Sequence, residues 1–83
     1  MCTGIIESAV VTGSGKGQQG WFTLNRANVA YDHPFHAPLE HALTIDFVDD
    51  TAGPGARVAV ELSRNSAELL VAAIQAALAQ YQD

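Results

Sequence analysis

The stretch from Ser63 to Tyr81 most limits what this chain can become. Ala67, Leu70, Val71, Ile74, Ala77, Leu78 and Tyr81 recur at helical spacing and form one apolar stripe. Ser63 and Asn65 both offer N-caps, and Asn65 precedes Glu68 at the capping-box interval. A second, shorter stripe of Leu69, Ala73 and Ala76 runs beside the first and ends at the polar Gln80. The first stripe is expected to lie on a sheet. The second either reflects alanine as a good helix former or packs on a partner subunit.

The segments before this helix read as strands. Leu43, Ile45 and Phe47 alternate with Ala42, Thr44 and Asp46, and His41 falls on the side of Leu43. Arg57 to Leu62 repeats the pattern, with Val58, Val60 and Leu62 inward and Arg57, Ala59 and Glu61 outward. Asp49 to Gly55 between them is a turn, acidic and then Gly-Pro-Gly, too short for a crossover, so the two strands pair antiparallel. Nearer the N-terminus, Ile5 to Thr12 is β-branched and extended. Gly13 to Gly20 reads as a loop, Trp21 to Leu24 as a short strand, Asn25-Arg26 as a bulge or bend, and Ala27 to Tyr31 as strand again. The expected fold is α+β: a four- to five-stranded antiparallel sheet with one C-terminal helix packed on one face, in a single domain over 1–83. The other sheet face, with Ala42, Thr44 and Ala59, must meet water or another subunit.

A chain of 83 residues buries only about 60–65% of its unfolded surface, which leaves a lone monomer marginal. Cys2 is the only cysteine, so no internal disulfide can help, and a reducing compartment fits. Metal binding or self-association, as a homodimer or a larger closed oligomer, are the remaining supports. The start Met-Cys-Thr-Gly has no basic segment or long apolar run, and the chain reads as cytoplasmic, without a membrane partner. Nine acids against four bases give a formal net charge of −5, and Lys16, Arg26, Arg57 and Arg64 are scattered, which argues against nucleic acid.

Chemistry concentrates between Tyr31 and Asp46. This stretch holds all three histidines, Pro34 and Pro38, and the carboxylates Asp32, Glu40 and Asp46. Imidazoles of His33, His36 and His41 suit a divalent transition metal (Zn, Fe, Ni or Cu), and a carboxylate can complete the set. In a metal enzyme with hydrolytic or lyase chemistry, Asp32 or Glu40 would move the proton. Two other readings stand beside it. One is a non-catalytic small-molecule-binding or assembly module with structural or pH-sensing histidines; the other is a metal-free enzyme using His41 and Glu40 as acid and base. Trp21, Phe22, Tyr31, Phe35 and Phe47 either line a small pocket beside the histidines or form the core. Gly15 to Gly20 formally matches G-x-G-x-x-G, but Trp21-Phe22-Thr23 follows as strand where a nucleotide fingerprint needs a helix. This segment reads instead as a mobile hairpin loop or lid.

The opening Met-Cys-Thr-Gly resembles the start of N-terminal-nucleophile hydrolases such as the bile-acid hydrolases, over those four residues alone. That likeness implies a nucleophilic Cys2 with its own amine as base; a metal ligand or a plain buried thiol are the alternatives. Over most of its length the chain is similar to a small bacterial family known only as a domain of unknown function. Gly20–Phe22, Tyr31–Leu43 and Gly55–Ser63 carry that resemblance. It brings no activity, substrate or catalytic residue with it.

Overall fold

The computed structural model describes residues 6–52 and 56–80. Cys2, Tyr81 and the Gly53-Pro-Gly55 part of the expected turn lie outside the described residues. Four strands, β1 (Glu7–Gly17), β2 (Gly20–Asp32), β3 (Ala42–Val48) and β4 (Arg57–Leu62), precede one helix, α1 (Arg64–Gln80). The strands form one antiparallel sheet in the order β1-β2-β3-β4, so each strand pairs with its neighbour in sequence. The fold is α+β, a four-stranded antiparallel sheet followed by a C-terminal helix, as expected.

Register sorts the side chains into two faces, since directly paired residues point the same way. Val29 pairs with Ile45 and Ile45 with Val60; Ala27 pairs with Phe47 and Phe47 with Val58; Tyr31 pairs with Leu43 and Leu43 with Leu62. That face is apolar. The other carries Asn28, Asp46 and Ala59 in register, then Thr44 and Glu61. Ser8 donates to Asn28 at 2.6 Å, Thr44 to the Ala30 carbonyl at 3.2 Å, and Arg57 pairs with Asp46. Not all of this polar face is left to meet water or another subunit: Ala42 on it is fully buried, at 0% exposure.

Three expectations about the elements are corrected. The glycine segment is not a loop. β1 runs through it to Gly17, and only Gln18-Gln19 turn between the closing pair Gly17 and Gly20. The pairing supplies what the side chains do not. Positions 15 and 17 also lie close under neighbours: a Cβ would come within 3.2 Å of Leu24 at Gly15 and 3.3 Å of Phe22 at Gly17. Second, β2 is one continuous strand. The irregularity near Asn25-Arg26 belongs to its partner, where Val10 and Gly13 of β1 face Arg26 and Leu24 across a register shift. From Gly20 to Asn25, β2 has only β1 beside it, so the hairpin overshoots β3. β1 also touches β4, which shows the sheet curling toward itself as twisted sheets do.

The third correction concerns the helix. Ser63 is the cap that forms: its Oγ accepts from the Ser66 N–H at 3.1 Å, while Asn65 lies inside the helix. The stripe expected on the sheet is not covered by it. α1 meets β3 and β4, and Ala67 is its buried residue, but every residue from Glu68 through Gln80 is exposed. A single residue, Ser63, joins β4 to α1, and the helix touches β3 and β4 but buries only Ala67 there. Among the described residues no large side chain is fully buried. No described helix is long and apolar enough to cross a membrane.

Candidate functional site

The segment from Asp32 to His41 bridges β2 and β3, and Pro34 and Pro38 keep it out of regular structure. Its two ends are pinned together. The His33 N–H donates to Asp32 Oδ1 at 2.7 Å, and His33 Nδ1 donates to the Glu40 carbonyl at 2.9 Å. A carbonyl only accepts, so Nδ1 carries the proton in this bond. The His33 ring stacks on His41, with centroids 4.7 Å apart and planes 26° from parallel. His41 stacks in turn on Tyr31 at 5.8 Å, and the Arg64 guanidinium lies over Tyr31, 4.9 Å from its centroid. Strand end, loop and helix start are thus joined by one run of planar groups.

The middle of the loop is held from the other face. Glu61 accepts three backbone N–H groups: Phe35 at 2.6 Å, Ala37 at 2.8 Å and His36 at 3.1 Å. The Ala37 and Phe35 hydrogen bonds, in that order, hold its carboxyl below the ordinary carboxylate range against a smaller opposing desolvation. From the sequence, Glu61 is only an outward-facing strand residue. Strand alternation places it on the polar face, but nothing in the spacing of Phe35 to Ala37 announces that their N–H groups converge on it.

The structure therefore brings His33 and His41 together and sets His36 apart, beside Phe35, Ala37, Ala59 and Glu61 in a shallow hollow. Lone pairs lie in the imidazole planes, and rings stacked face to face do not aim two of them at one point about 2 Å from both. Among the described residues no group of three His, Cys, Asp or Glu is placed to hold a metal ion. Asp32 and Glu40 take part in the loop through the contacts given above.

Of the aromatic set, Tyr31 stacks on His41 and Phe35 lies beside His36, but Trp21 and Phe22 do not join them. Trp21 and Phe22 instead line an open cleft of about 680 Å³ between the hairpin turn and the β3–β4 connection, with Gln18, Gln19, Ala52 and Arg57. Trp21 stands 71% exposed there and Phe35 is 99% exposed on its loop. The β3–β4 connection is held by β2: Asp50 N–H donates to Asn25 Oδ1 at 3.0 Å, and Arg26 pairs with Asp50 at 2.7 Å. Thr51 donates to Asp49 through both its hydroxyl, at 2.7 Å, and its N–H, at 3.0 Å, which lowers the Asp49 pKa.

An antiparallel four-stranded meander with one C-terminal helix and a histidine-bearing β2–β3 loop defines the structural class. The chain belongs to the family of unknown function DUF6295, whose model matches residues 1–83. No curated protein and no solved structure matches it.

Proposed function

We propose that this is a small cytosolic assembly module that self-associates through α1, with the Asp32–His41 loop as a structural clasp. The observation that carries the reading is the exposure of every residue from Glu68 to Gln80, Leu69, Leu70, Val71, Ile74 and Leu78 among them. A helix of this length is marginal in water without packing, so a stable fold needs that face covered. The partner has to be present whenever the chain folds, and a second copy meets that condition without a second gene product. The loop supports the same reading, since the imidazoles of His33 and His41 are engaged in stacking, and that of His33 also in a bond to the Glu40 carbonyl.

Light scattering of wild type beside Leu78→Glu tests it. Expected is a mass of at least twice the chain in the wild type at micromolar concentration, falling toward the monomer in the variant. A monomeric wild type overturns the reading. A zinc-induced rise in melting temperature, abolished by His33→Ala, His36→Ala and His41→Ala alike, would favour the metal reading instead.

A further inference from the structure

Two apolar surfaces are left open on one chain. The first is the α1 line that continues from the buried Ala67 through Leu70, Val71, Ile74 and Leu78, all exposed. The second is the sheet face of Val29, Ile45, Phe47, Val58 and Val60, in register across three strands and only half-buried. The helix leaves on that same side, since Arg64 lies over Tyr31, which pairs with Leu43 on the apolar face. Yet beyond Ala67 no residue of α1 is buried against its own strands.

We infer that the two surfaces cover each other between chains: α1 of each copy lies on the apolar sheet face of its partner, about a twofold axis. This rests on the self-association proposed above and specifies its geometry. An isologous arrangement satisfies both surfaces at once, because each copy supplies one helix and accepts one. Contact between the two helices alone would leave both sheet faces open. The dimensions agree. Glu68 to Gln80 spans about 20 Å of helix at 1.5 Å per residue, with a footprint of about 200 Å² at about 10 Å width. Two reciprocal helix-on-sheet contacts, counted on both sides, remove about 800 Å² from water, and flanking contact along Leu69, Ala73 and Ala76 adds to that, toward the lower bound of specific interfaces. The second stripe thereby has a place too: alanines let the two exchanged helices approach where they pass.

The test mixes ¹³C-labelled and unlabelled wild-type chains and records only contacts between them by filtered nuclear Overhauser spectroscopy, with light scattering on the same sample. Expected are intermolecular contacts from the Ile74 and Leu78 methyls to Ile45, Val58 and Val60. A dimer whose intermolecular contacts join α1 only to α1 overturns the exchange and leaves self-association standing. A monomer by light scattering overturns both. As a second arm, chains carrying Ile74→Cys and chains carrying Val60→Cys, each with Cys2→Ser, are mixed and oxidised. A disulfide joining one of each supports the exchange; none between them in a sample that scatters as a dimer overturns it.

Discussion

Glu61 fixes the Phe35–Ala37 loop with a carboxylate that accepts three backbone N–H groups, and this makes the loop sensitive to acid. Its folded pKa is lowered, so its contribution is complete above the ordinary carboxylate value and is lost as pH falls through the lowered one. Amide exchange at Phe35 and Ala37 should therefore accelerate in that acid window, relative to β3 amides in the same spectra. Glu61→Gln should give the fast exchange already at neutral pH, because a neutral amide oxygen is a weaker acceptor and its NH₂ cannot accept at all. Unchanged protection in the variant would show that the prolines alone hold the loop. At the start of α1, Ser63→Ala removes the side chain that meets the Ser66 N–H and should cost about 1 kcal/mol, read as a lower melting temperature. Asn65→Ala, inside the helix, should leave the melt nearly unchanged.

The β1–β2 hairpin separates what glycine composition signals from what it permits. Gly20 has φ of 111°, a region that side-chain-bearing residues rarely occupy, so Gly20→Ala should destabilise by about 1 kcal/mol or more. Gly13 has no positive φ and open space where a Cβ would stand, so Gly13→Ala should be neutral or stabilising by about 0.4–1 kcal/mol. Denaturant melts of the two variants should move in opposite directions; equal losses would mean that the bulge itself needs Gly13. The same contrast shows how far the sequence could be read. β3, β4 and α1 were legible because their periodicity is carried by large side chains such as Leu43, Ile45, Val58 and Leu70. Gly13 to Gly17 was not, because its extended state comes from pairing with Gly20 to Leu24 and has no local signal. In the candidate segment the irregular path through Pro34 and Pro38 was legible, as was the side on which His41 falls. The Tyr31–His41–His33 stack and the Glu61 bonds were not, since both depend on how the loop closes over the sheet.

At the scale of the molecule, a sheet with half-buried apolar residues and a helix uncovered beyond Ala67 amount to half of a core. If a second copy supplies the rest, folding and association are one equilibrium, and the melting temperature should rise as protein concentration rises. A tenfold dilution series followed by circular dichroism checks this, and a midpoint independent of concentration would exclude coupling. The meander order β1-β2-β3-β4 has a further consequence during synthesis. Every strand pairs with the one made just before it, so the sheet can form as it leaves the ribosome, with short loops to close and no distant segment to await. The helix follows it in the chain, and its apolar line beyond Ala67 lies uncovered. If copies exchange helices as proposed, each would offer the other a sheet already closed by its own local turns.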